Sequence, residues 1–166
     1  MELLIVRHAI AFERNRRRWT DDRERPLTPA GKKLARKAAA GLREFAAAPH
    51  RLLSSPLVRA RDTARILTKF AGWPEAEKIT ELEPGKPALA ILRLLRLDGG
   101  TRVAVVGHEP GLGKLLAVCL LGNPAPLPVD FKKIGVACVK FAGAPRAGRA
   151  TLQWFATPRM LRALSS

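Results

Sequence analysis

Apolar and polar positions follow two different rhythms along this chain, and the switches between them mark out its elements. Leu3, Leu4, Ile5 and Val6 form an unbroken branched run that reads as a strand buried on both faces, and Arg7 and His8 follow it at once. Residues 12–26 show no period and read as a loop. Thr28-Pro29 then gives a capping residue followed by proline, and Leu34, Ala38, Leu42 and Phe45 recur at helical spacing up to Pro49. Arg51-Leu52-Leu53-Ser54 is a second short strand, and Ser55-Pro56 repeats the start signal before a helix over 57–70. Lys78-Ile79-Thr80 reads as a third strand, and residues 88–97 as a helix closed by Gly99-Gly100. Residues 103–106 form another buried strand, running into Gly107-His108-Glu109-Pro110, with Pro110 opening a helix to Leu121. Residues 134–141 and 150–155 alternate like antiparallel strands across the turn-rich stretch 143–148. Strands that alternate with helices predict an α/β fold: a three-layer α/β/α sandwich with a mainly parallel central sheet and an antiparallel edge added late.

Composition narrows the class. The 166 residues are 47% apolar and 27% charged, the balance of one globular domain over 1–166 that needs no disulfide or metal staple. The longest apolar stretches, 115–122 and 88–97, fall short of the roughly 20 residues a membrane-spanning helix needs. Nothing after Met1 resembles a secretory signal, so the expected compartment is the cytoplasm and no membrane partner is expected. Cys119 and Cys138 sit among apolar neighbours and read as buried, reduced thiols. A net charge of +16 concentrates anions without naming their class.

Four polar residues occupy equivalent places: Arg7 and His8 past the first strand, Arg59 in the first turn after the second, and His108 past the fourth. In an open α/β sheet, side chains leaving the carboxyl ends of parallel strands converge on a crevice that helix N-termini make favourable to anions. Each residue alone reads as well as a structural or solvated side chain; the shared rim favours the functional reading. Guanidinium forks match phosphate oxygens, and a neutral imidazole held between them can attack phosphorus.

These residues lie in motifs that resemble those of the histidine phosphatase superfamily. Arg7-His8-Ala9 resembles its Arg-His-Gly signature, residues 54–64 (SSPLVRARDTA) its second motif and Val106-Gly107-His108-Glu109-Pro110 its third, in the family's order and spanning residues 1 to about 120. Residues 22–28 (DRERPLT) with Gly31 further resemble the SixA-type phosphohistidine phosphatases, a short branch without the inserted lid of the phosphoglycerate mutases. The resemblance implies a metal-independent and cofactor-free phosphatase that forms a phosphoryl-enzyme on His8. Arg7, Arg59 and a protonated His108 would complete a pocket able to take free phosphate or sulfate, with the backbone N–H of Glu109 as a further donor. One departure is Ala9 in place of glycine, a single added methyl where the chain turns. A second concerns the acid: relatives acting on phosphate esters carry an acidic residue after the third strand, where Glu81 and Glu83 lie here, whereas the SixA-type resemblance implies no dedicated acid.

The expected substrate is therefore phosphohistidine on a signalling or phosphotransfer protein, with a small phosphorylated metabolite such as a sugar phosphate or nucleotide as the alternative. Six arginines between positions 14 and 25 follow the catalytic strand and are expected to overhang the pocket and collect an anionic protein face. A nucleic-acid-binding module is the reading from charge alone, but no tyrosine and 5% aromatic residues leave few stacking platforms. A phosphate reader without catalysis is disfavoured because every expected catalytic position is filled. His50, between Pro49 and Arg51, shows no partner in the sequence and is expected at the surface.

Overall fold

The computed structural model describes residues 1–97 and 101–165 and orders six strands as β3-β2-β4-β1-β5-β6. Strands β1 (Glu2–Arg7), β2 (Arg51–Ser54), β3 (Ala76–Lys78) and β4 (Arg102–Gly107) run parallel, and β5 (Val136–Phe141) and β6 (Ala150–Ala156) add an antiparallel edge beyond β1. The strand period of two sorts side chains to opposite faces. Leu4, Val6, Leu52, Ala104 and Val106 pack under α1 (Pro29–Phe45), α2 (Val58–Ala71) and α5 (Pro158–Ala163). Leu3, Ile5, Leu53, Val103 and Val105 pack under α3 (Ala88–Arg96) and α4 (Gly111–Leu121). The expected three-layer α/β/α sandwich is thus observed. Cys119 and Cys138 are buried free thiols in cores on opposite faces, so the sheet separates them.

The chain leaves β1 and β4 toward different faces, and this is where an open sheet forms a crevice at its carboxyl edge. The β1–β4 register sets Arg7 opposite Gly107, and the His8 N–H donates to the Gly107 carbonyl at 3.1 Å. The residues just past each strand end are therefore level with one another.

Several boundaries differ from the sequence expectation. The third strand lies at Ala76–Lys78 rather than 78–80, because pairing with Leu52, Leu53 and Ser54 sets it and overrides weak local strand preference. Thr80–Leu82 instead forms a 3-10 turn before Pro84. Helix α2 begins at Val58, one residue past the expected start at 57, and the Ser55 hydroxyl accepts from the Leu57 N–H at 3.4 Å while also bonding His108. Strand β5 begins at Val136, because Ile134 turns with φ of 63° and its N–H donates to the Arg7 carbonyl. Helix α5 was not expected. Its Thr157-Pro158 start repeats the signal of Thr28-Pro29, but its six residues are too few to show a period. The expected Gly99-Gly100 end of α3 lies outside the described residues. His50 is exposed as expected but has a partner, its Nδ1 accepting from the Arg102 N–H at 3.1 Å.

No helix among the described residues is long and apolar enough to cross a membrane.

Candidate active site

All four rim residues come together at the carboxyl edge of the sheet. The His8 and His108 rings lie 5.0 Å apart, centroid to centroid, and both side chains are buried. His8 is oriented by a partner the sequence did not reveal: its Nδ1 lies 2.6 Å from the Ala9 carbonyl oxygen. A carbonyl only accepts, so Nδ1 carries the proton and Nε2 keeps its lone pair. The Ala9 N–H in turn donates to Thr63 Oγ1 at 2.9 Å, and that hydroxyl donates to the Arg59 carbonyl at 2.7 Å. Residues following β1 are also held from behind, since a Cβ on Gly31 would lie 2.1 Å from the Ile10 carbonyl oxygen. Only glycine lets the start of α1 approach that closely.

Arg59 projects from the first turn of α2 and is 3% exposed. Its guanidinium donates to the Asp22 carbonyl at 2.8 Å and meets the Asp22 carboxylate at 3.1 Å. Arg7 donates to the Phe131 carbonyl at 2.6 Å, which ties the residues before β5 to the end of β1. His108 Nε2 lies 2.9 Å from the Ser55 hydroxyl. Five buried side-chain nitrogens among the described residues lack a hydrogen-bond partner, and three of them are Arg7 Nε, Arg59 Nε and His108 Nδ1. Unsatisfied buried polar groups cost about 1–3 kcal/mol each, and the two guanidinium Nε–H donors favour an acceptor-rich ligand.

Burial, reinforced by His108 and Arg59, pushes the His8 ring down to about 2. Burial and the Arg59 charge likewise push His108 down to about 3. His8 is thus neutral, and so is His108 in the free protein. For His108 the reason is burial together with the charges of Arg59, Arg25 and Arg7, which the opposing Asp22 carboxylate does not offset.

Stability follows from this in a definite direction. The unfolded histidines take up protons near their ordinary 6.5, whereas the folded ones resist until about 3 and about 2, so acid favours the unfolded chain and stability falls as pH drops below about 6.5. Asp22 acts in the same direction. Burial works to raise its carboxyl, but the Arg25 hydrogen bond and the Arg59 and Arg25 charges outweigh it and hold the group below the ordinary range. The urea midpoint should fall from about pH 7 to about pH 4, and the fall should be shallower in His108→Gln. A midpoint that stays level or rises on acidification would contradict neutral burial of the two rings.

The Glu109 carboxylate accepts from the Gly113 N–H at 2.9 Å and so caps α4, leaving only its backbone near the pocket. Glu83 is held in a two-point ion pair by Arg23, at 2.5 and 3.1 Å, which keeps its carboxyl below the ordinary range. Glu81 lies beside Thr80, its Oε2 3.5 Å from that hydroxyl. The arginine-rich loop does close over this edge. Arg25 bonds Asp22 at 2.8 Å and the Phe12 carbonyl at 2.5 Å, and Arg23 anchors the loop to Glu83. Arg16, Arg17 and Arg18 stay exposed, with Arg18 stacked over Phe12 and Trp19.

Sequence reasoning missed Asp22 as the partner of Arg59, although it opens the DRERPLT stretch at 22–28, and it missed Lys133. Burial and the nearby Arg7, Arg25 and Arg59 charges lower the Lys133 ammonium. Its position, after a proline-rich stretch and before β5, carries no periodic signal.

The chain is similar to several known proteins. The family model described as histidine phosphatase superfamily (branch 1) matches residues 3–86. The chain is 30% identical over 166 residues to the phosphohistidine phosphatase SixA of Escherichia coli strain K12, covering 98% of this chain and 97% of that protein. It is 32% identical over 149 residues to an uncharacterized protein of Picosynechococcus sp., covering 88% of each. Among solved structures, protein histidine phosphatase SixA complexed with tungstate superposes with a TM-score of 0.83 at 28% identity, over 96% of this chain and 98% of that one.

Proposed function

Because the chain belongs to the histidine phosphatase superfamily and is a hydrolase of phosphate monoesters, we propose that His8 is its nucleophile and that phosphohistidine on a protein is its preferred substrate. The Nε2 lone pair of His8 attacks phosphorus as the bond to the leaving group breaks. Positive charge that develops on the ring is shared with the Nδ1–H bond to Ala9. Arg7 and Arg59 neutralise the equatorial oxygens, and Glu109 offers its backbone N–H. The arriving dianion favours a proton on His108 Nδ1, which has no partner in the free protein. Water then attacks the phosphoryl group on His8, releasing phosphate and restoring the neutral ring. Tungstate is a tetrahedral oxyanion, so its presence in the SixA complex supports a phosphate or sulfate site here. The positive field of Arg7, Arg25 and Arg59 around two histidines is a poor setting for a divalent cation, and turnover in excess chelator is expected.

The observation that carries the substrate class is the state of the nearby carboxylates. Glu83 is ionised and clamped by Arg23, and Asp22 is ionised against Arg59 and Arg25. Neither holds a proton to give. A departing alkoxide needs one, whereas the imidazole of phosphohistidine can be protonated in advance and leave as a neutral ring. The exposed Arg16, Arg17 and Arg18 add a collecting surface suited to an acidic protein.

A leaving-group panel tests this. Phosphohistidine protein and p-nitrophenyl phosphate should be turned over roughly a hundredfold or more faster than sugar phosphates or phosphoserine, the usual contribution of a missing general acid. Glu81→Gln and Glu83→Gln should each keep phosphohistidine turnover within a few-fold. Should either change abolish it, or alkyl phosphates prove equally good, the metabolite-phosphatase reading takes precedence.

A further inference from the structure

Beside the phosphate pocket, and continuous with it through Ala9, runs a trough of about 660 Å³ between the start of α1, the residues before β5 and helix α5. Its apolar surface comes from Ile10, Leu34, Ile134 and Pro158, and Ile10 is 37% exposed although it sits two residues from His8. Its cations are Lys132, Lys133, Arg159 and Arg162, and no acidic residue lines it. Lys132 is paired with Asp130, whereas Lys133, Arg159 and Arg162 have no ion pair among the described residues. The one hydroxyl in it, on Thr157, already accepts from the Met160 N–H at 3.3 Å. The trough wall is firm: a Cβ on Gly41 of α1 would lie 1.7 Å from the Leu161 carbonyl oxygen, so α5 is seated backbone to backbone on α1.

We infer that this trough docks an acidic amphipathic segment of the phosphoprotein substrate, apolar side chains on its floor and carboxylates against Lys133, Arg159 and Arg162. The inference rests on the protein-substrate reading above and specifies which surface of this chain the substrate protein meets. Charge complementarity selects the occupant. A second copy of this chain would bring further cations against the same face, since each carries +16. A nucleic acid would find no aromatic side chain to stack on. A sugar phosphate would leave the apolar floor unfilled, while an amphipathic helix needs only apolar seats and complementary rim charge.

The test uses a fluorescent helical peptide of leucine and glutamate, its lysine counterpart, a single-stranded oligonucleotide, and a protein phosphorylated on histidine with phosphoramidate. The acidic peptide should bind, compete with the phosphoprotein, and leave p-nitrophenyl phosphate turnover within twofold. Arg159→Glu/Arg162→Glu should weaken peptide binding and raise KM for the phosphoprotein at least tenfold, again sparing p-nitrophenyl phosphate. Arg159→Ala/Arg162→Ala, which leaves the α5 C-terminus free of an added negative charge, should give an intermediate loss. Equal peptide binding by all three proteins, no binding by the wild type, or displacement by the oligonucleotide would overturn the inference. Arginine-dependent peptide binding in an enzyme that leaves every phosphohistidine protein intact would uphold the trough and reject the substrate reading instead.

Discussion

Replacing His8 by alanine is expected to lower turnover of every phosphorylated substrate by on the order of 10⁴-fold or more, with the fold intact. The 2.6 Å Nδ1 bond to Ala9 fixes the tautomer, and burial keeps the ring neutral down to about 2. Arg7 and Arg59 are charged donors with no lone pair to give, and among the described residues the ring of His108 lacks a carbonyl contact like the one that fixes the tautomer of His8. Rapid quenching during turnover should trap phosphate that is labile in acid and stable in base, and peptide mapping should place it on residue 8. Label recovered on serine, aspartate or His108 would remove the proposed nucleophile.

Arg59→Ala should cost on the order of 10²–10³ in kcat/KM, the scale for losing one preorganised donor to a transition-state oxyanion. Arg59→Lys should recover little of this. The guanidinium uses its fork to hold both the carbonyl and the carboxylate of Asp22 while its Nε remains unpartnered, and a lysine ammonium cannot reproduce a planar array of that kind. The folded state should survive, because Asp22 keeps its 2.8 Å bond to Arg25. A lysine variant within a few-fold of wild type would show that position 59 supplies charge alone.

What the sequence made legible depended on whether a feature was local. The branched cores of β1 and β4, Leu3 to Val6 and Val103 to Val106, are buried on both faces, so these runs stood out, and the residues following them could be assigned to one rim before any geometry was known. The proline start signals located α1 for the same reason. Strand β3 was misplaced because Ala76, Glu77 and Lys78 have no strand character of their own and are strand only through β2. The orientation of His8, the hold of Asp22 on Arg59 and the presence of Lys133 depend on contacts between segments far apart in the chain. Glu83 looked like an acid by position and is neutralised by Arg23, 60 residues earlier.

The level ends of β1 and β4 have an evolutionary corollary. The two histidines hang from backbone hydrogen bonds in the middle of the sheet, whereas the surfaces that would meet a substrate come from residues 12–26, the stretch before β5 and helix α5. Drift in those three segments leaves the register between Arg7 and Gly107 untouched. Such a protein can change clientele without relearning its chemistry, and grafting these segments between relatives is the natural way to move a substrate preference while keeping the reaction.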